Sequence, residues 1–182
     1  MWADDAAAWV LENERGEADH PDDPGGATIH GITRRHYPEW YERVMKAHRR
    51  SRKRGLDEAR ALYRELFGSM RRFGRIEQRE AAMITFDMHV QHGQAGRLVQ
   101  KALNQLIHGL RFKPLSEDNV MGPKTIARMN ALSRQYPAAV VAALLGERYK
   151  YFLRLVSRND RLGAFMRGWV AHRCLPPGVE LT

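Results

Sequence analysis

The chain has 182 residues, of which 43% are hydrophobic and 28% charged, and it carries a formal net charge of +9. That is an ordinary globular composition, long enough for a sizeable core in one domain or a main lobe with a modest appendage. A single cysteine, Cys174, excludes an internal disulfide and a two-cysteine zinc site, while the surplus of positive charge points to an anionic partner such as nucleic acid, acidic membrane or cell wall.

The N-terminus, with Asp4 and Asp5 ahead of a short apolar run, lacks the basic start of a secretory signal. No stretch approaches the roughly 20 apolar residues of a membrane span. Synthesis in a cytoplasm is therefore expected. Asp4 or Asp5 can cap a first helix with Ala6, Trp9, Val10 and Asn13 on one face, ending near Glu14 and Gly16. His20 to Gly26 is turn chemistry, and Ala27 to Ile32 is the one convincing strand or hairpin segment.

Pro38 suits the first position of a second helix carrying Trp40, Tyr41, Val44, Met45 and His48. The basic run His48 to Arg54 follows, with Gly55 expected to end it. A third helix carries Leu56, Ala59, Leu62, Tyr63, Leu66 and Phe67. From Ile76 to His92 apolar residues fall on nearly every face, which predicts a buried central helix. Gly93 to Leu106 continues as helix, and Ile107 to Asn119 reads as loop. Gly122-Pro123 opens another helix. The next one aligns Ala138, Val141, Ala142, Leu145, Tyr149, Phe152 and Val156, with Arg148, Arg154 and Arg158 expected outward. A last helix holds Phe165, Trp169 and Val170, and residues 175–182 read as a tail.

Glu14 and Asp23 are the residues that can carry chemistry. Cleaving a glycosidic bond needs one carboxyl held protonated for the leaving oxygen and a second group, ionised, to activate water or stabilise an oxocarbenium-like transition state. A glutamate at the end of an apolar helix has its pKa raised by desolvation, and an aspartate in a Pro-Gly-Gly turn stays charged. Thr28, five positions on, can hold the water. On spacing alone, surface, turn and strand roles are the commoner use of such residues, and Glu12 and Glu17 are rival carboxylates. Asp87, His89 and His92 lie within one turn of each other on the central helix. They can line a cleft, a histidine pair can hold a metal, or they can be hydrogen-bonded core groups.

Glu14-Arg15-Gly16, Asp23-Pro24-Gly25-Gly26-Ala27-Thr28 and Gly31-Ile32-Thr33 together resemble, without a gap, the signature of glycoside hydrolase family 108. This is a family of phage endolysins and lysozyme-like N-acetylmuramidases. Arg15 and Glu17 stand where that signature has glycine and tyrosine, and the Arg15 charge can lower the Glu14 pKa. Leu62-Tyr63-Arg64, Phe86-Asp87-Met88 and Gln91-His92-Gly93 are similar to the rest of that module. Ala95 to Leu103, Asp118 to Thr125, and Phe165 to Trp169 with Arg173 resemble the peptidoglycan-binding-type region that commonly follows it.

The resemblance implies a mainly α, lysozyme-like (α+β) fold, a helical bundle around the buried central helix with one small β-hairpin near residues 23–33. It implies a catalytic module over 1–92 and a helical region over 93–182 packed into the same unit. It implies cleavage of the β-1,4 bond between N-acetylmuramic acid and N-acetylglucosamine, without a cofactor or metal. Glu14 is then the general acid, Asp23 the charge stabiliser or water positioner and Thr28 an auxiliary, with His30, Asp87, Gln91 and His92 on the substrate. The expected partners are peptidoglycan and, through the basic surface, anionic envelope polymers; no specific nucleic acid is implied, and the expected state is a monomer released to the wall through a holin pore. A lytic transglycosylase and a basic nucleic-acid-binding protein built on His48 to Arg54 are the rival readings.

Overall fold

The computed structural model describes residues 2–13, 17–18, 27–69 and 72–175. The described chain is mainly helical with one small antiparallel sheet, as the sequence predicts. It divides into two compact units, Ala3–Met70 and Arg71–Thr182. The division expected at 92–93 thus falls inside the second unit, and Glu14, Asp23 and the tail from 176 lie outside the described residues.

In the first unit α1 (Ala3–Asn13) packs on α3 (Arg52–Ser69), and α3 on α2 (Pro38–Arg50). Ala6 with Val10 and Ala7 with Leu11 follow the i, i+4 spacing that puts an apolar stripe on one helix face, and all four are buried. Asp4 and Asp5 are not caps but first-turn residues, where a carboxylate faces the positive end of the helix dipole. On α3 the buried stripe is Ala59, Leu62, Tyr63 and Phe67.

Gly55 does not end the basic run. The α2 helix stops at Arg50, Ser51 is extended, and its Oγ accepts from the Arg54 N–H at 3.2 Å, so the serine caps α3. Gly55 then sits inside the first turns of α3, where an added Cβ would lie 2.7 Å from the His48 Cβ. Only a glycine lets the two helices approach this closely.

The sheet has the order β1 (Glu17–Ala18), β2 (Thr28–Ile29), β3 (Ile32–Thr33), with Ala18 opposite Thr28 and Thr28 opposite Thr33. The β2–β3 loop has two residues, His30 at φ 50° and Gly31 at φ 76°. Two successive positive φ angles give the primed turn whose twist matches an antiparallel pair.

The second unit contains α4 (Arg79–Gln91), α5 (Ala95–Gln105), α6 (Pro123–Gln135), α7 (Pro137–Arg158) and α8 (Gly163–Arg173). Every position from Ala81 to Met88 is buried, as the all-round apolar pattern of α4 requires. The long α7 touches α4, α5, α6 and α8. Its buried face is Val140, Val141, Leu144, Leu145, Arg148 and Phe152. The expected face holds at Val141, Leu145 and Phe152 but not at Ala138, Ala142 and Tyr149, which are exposed; Arg148 is fully enclosed, while Arg154 and Arg158 do face outward. The irregular segment 107–119 is held by Asn104, whose side chain both donates to Leu115 O (3.0 Å) and accepts from Leu115 N (2.8 Å).

Candidate functional site

Glu14 directly follows α1, and Asp23 lies in the segment between β1 and β2, so the described structure fixes what flanks them in the chain. Upstream is the buried Trp9-Val10-Leu11 run of α1. Downstream is Thr28 on β2, half-buried in the middle strand of the sheet. The hairpin that carries Thr28 is anchored at its turn. His30 is buried, its Nε2 lies 3.3 Å from His48 Nδ1 on α2, and its carbonyl accepts from the Tyr63 hydroxyl on α3 at 2.9 Å. Its ring therefore packs against His48 of α2, and its carbonyl is held from α3.

Asp87, Gln91 and His92 belong to the second unit, where the structure gathers them around Arg148. Arg148 Nη2 donates to Asp87 and, at 2.8 Å, to Gln91 Oε1, while Nη1 donates to Arg173 O at 3.1 Å. Arg173 Nη1 donates to Asp87 Oδ1 at 3.1 Å. Burial alone would raise the Asp87 pKa, but the two guanidinium groups outweigh it and hold the carboxyl below its ordinary range. His92 packs against Tyr151 and Phe152, with ring centroids 4.4 and 5.4 Å away. Burial, reinforced by Arg148, lowers its pKa to about 3, so it is neutral at any ordinary pH. His89 is also shifted down, by burial and then by Arg72. Among the described residues no three His, Cys, Asp or Glu side chains cluster as a metal site would need.

Arg148 is the participant that sequence reasoning missed, because an arginine on an amphipathic helix is placed in solvent by default. A second polar cluster, also missed, closes the turn before α6. The Gln100 amide donates to Asp118 Oδ1 (2.7 Å) and to Val120 O (3.0 Å), and its carbonyl accepts from Asn119 N (3.0 Å). Asn119 in turn accepts from Arg97 N and donates to Gly93 O, which ties the 118–120 turn to the start of α5. The Asp-Asn-Val-Met-Gly-Pro run at 118–123 is thus a folded, hydrogen-bonded feature.

Residues 7–93 match the family model described as glycosyl hydrolase 108, and residues 94–174 match a predicted peptidoglycan domain. The solved structure of Brucella abortus SagA is similar in fold, with 22% identity and a TM-score of 0.59 over 93% of this chain and 87% of that one. No curated protein matches the chain. The two matched models meet at 93–94, whereas the compact units divide at 70–71, so α4 belongs by sequence to the first model and by packing to the second unit. On these matches residues 7–93 form a glycosyl hydrolase 108 module followed by a predicted peptidoglycan domain over 94–174, and the pairing supports a peptidoglycan hydrolase of the lysozyme-like kind.

Proposed function

We propose that this hydrolase cuts the β-1,4 bond between N-acetylmuramic acid and N-acetylglucosamine, with Glu14 as the general acid. The observation that carries the reading is the ungapped signature from Glu14 to Thr33, which lies inside the matched stretch 7–93. Glu14 delivers a proton to the bridging oxygen, Asp23 stays ionised to stabilise the developing positive charge or orient water, and Thr28 assists in holding that water. What supports these roles is local: α1 ends one residue before Glu14 with its buried face leading up to it, and Thr28 is held in a short sheet whose turn is anchored by His30. His30, Asp87, Gln91 and His92 take no part in bond breaking in this reading: His30, Asp87 and His92 are buried, and the half-buried Gln91 is held by Arg148, which supports a positioning role for them.

The protein is made in a cytoplasm and acts on the wall after release, breaking the sacculus and lysing the cell. Its net charge of +9 favours residence on an anionic envelope. The test is the chemistry of the new ends made from purified peptidoglycan. Muramic-acid reducing ends are expected. Products ending in 1,6-anhydro-muramic acid would make the enzyme a lytic transglycosylase, and glucosaminyl reducing ends would move the cut to the other bond.

A further inference from the structure

The second unit carries an open cavity of about 590 Å³ between the 112–116 segment and α6, with the buried Gln100 and Thr125 in its lining. Its charges are lopsided. The Asp118 carboxylate at its edge already accepts from Gln100 Nε2 and from Val120 N. Lys113, Lys124 and Arg128 line the same space with no carboxylate partner among the described residues.

Arg128 is the most informative of the three. It follows Lys124 by four positions on α6, so the two project to the same side of the helix. Its guanidinium lies over the Phe112 ring, 4.2 Å from the centroid, and its Nη1 is buried with no hydrogen-bond partner among the described residues. With Nη1 enclosed against the protein, the guanidinium held by stacking offers its Nε–Nη2 edge, which has no hydrogen bond among the described residues, to a carboxylate in two-point contact. Beside it, Pro114, Ala127 and Ala131 supply small apolar surface.

We propose that this cavity holds the stem peptide of peptidoglycan, with one peptide carboxylate on Arg128, Lys113 and Lys124 beside it, and an alanine methyl against Ala127 and Ala131. The proposal rests on the reading that the chain acts on peptidoglycan. Where the lactyl carboxyl is amide-linked to the peptide, the glycan itself offers only hydroxyl, ether and acetamido groups, which give three cations no counter-charge. The stem peptide offers both carboxylates and alanine side chains. A phosphodiester polymer satisfies the charge but leaves the apolar wall uncovered.

The full chain is titrated calorimetrically with the N-acetylglucosaminyl-N-acetylmuramyl tetrapeptide, which contains no muramyl–glucosaminyl bond to cut. Parallel titrations use the neutral disaccharide N,N'-diacetylchitobiose, the tetrapeptide compound with its carboxylates amidated, and glycerol phosphate oligomers. The peptide-bearing compound should bind, and amidation or Arg128→Met should weaken it about tenfold or more, as the loss of a charge-assisted bond implies. Arg128→Lys should recover only part of this, since lysine offers a point charge instead of a fork. Arg134→Met, on the same helix but paired with Glu77, should bind as the wild type does. If Arg128→Met melts early, Lys113→Gln with Lys124→Gln reads the same loss at exposed positions. Equal binding of diacetylchitobiose, indifference to Arg128, or preference for the glycerol phosphate would overturn the assignment. Cleavage of polymeric peptidoglycan is read separately: cleavage with no Arg128 dependence ends only the cavity assignment, and tight peptide binding with no glycan bond cut ends only the hydrolase reading.

Discussion

Arg148 shows how far one side chain can depart from its sequence pattern when a partner waits inside. It is fully buried, as is Asp87, and Arg173 completes the group from α8. Removing the carboxylate leaves the fully buried Arg148 guanidinium without its counter-ion, so Asp87→Ala should lower the unfolding free energy by about 3–5 kcal/mol in a denaturant titration. The exposed pair Arg64–Asp4 at 2.9 Å is the contrast, and Arg64→Ala should cost less than about 1 kcal/mol. His92 makes a second residue-scale prediction. Its folded pKa of about 3 lies below the ordinary 6.5, so the unfolded chain binds an extra proton between those values. Stability should therefore fall as pH drops through that window, by at most about 1.4 kcal/mol per unit from this group. His92→Phe should flatten that part of the curve, and an unchanged slope would show that other groups set it. That Asp87 and His92 can be hydrogen-bonded core groups was legible in the sequence; their partners were not, because Asp87 meets Arg148 and Arg173 across 61 and 86 positions. A one-dimensional pattern carries no signal at that separation.

Helices were largely legible, since their apolar spacing and their prolines are local properties. Pro38, Pro123 and Pro137 each stand at a helix start, where the missing N–H costs nothing. The face of α7 was legible only in part, at Val141, Leu145 and Phe152, because two adjacent stripes of that helix are apolar and only its neighbours choose between them. The α5 start shows the same dependence on context. A Cβ on Gly96 would lie 2.3 Å from Asn119 O, so Gly96→Ala should force the 118–120 turn outward and cost about 1–3 kcal/mol. Gly146, inside α7, has nothing within 4 Å of such a Cβ, and Gly146→Ala should stabilise by up to about 1 kcal/mol through helix propensity. Thermal melts of the two variants should move in opposite directions, and a shared direction would contradict the packing described for α5.

At the scale of the molecule, the signature and the net charge were both legible before any fold was known, because each is a matter of composition or short spacing. The peptidoglycan-directed chemistry followed from the first. The second predicts salt-sensitive attachment: Arg49, Arg50, Arg52, Lys53 and Arg54 are all exposed on or beside the joint of α2 and α3. Binding to sacculi that retain anionic polymers should weaken as added salt shortens the screening length from about 10 Å at 0.1 M to about 3 Å at 1 M. Sacculi stripped of those polymers should show little of this dependence. The central claim is that position 14 supplies the proton for glycan cleavage. The measurement that tests it most directly is the rate of muropeptide release from purified peptidoglycan, followed by mass spectrometry, for the wild type and Glu14→Gln. The account predicts a loss of about 10²–10⁴-fold with an unchanged melt; release at the wild-type rate would contradict it and move the acid to Glu12 or Glu17.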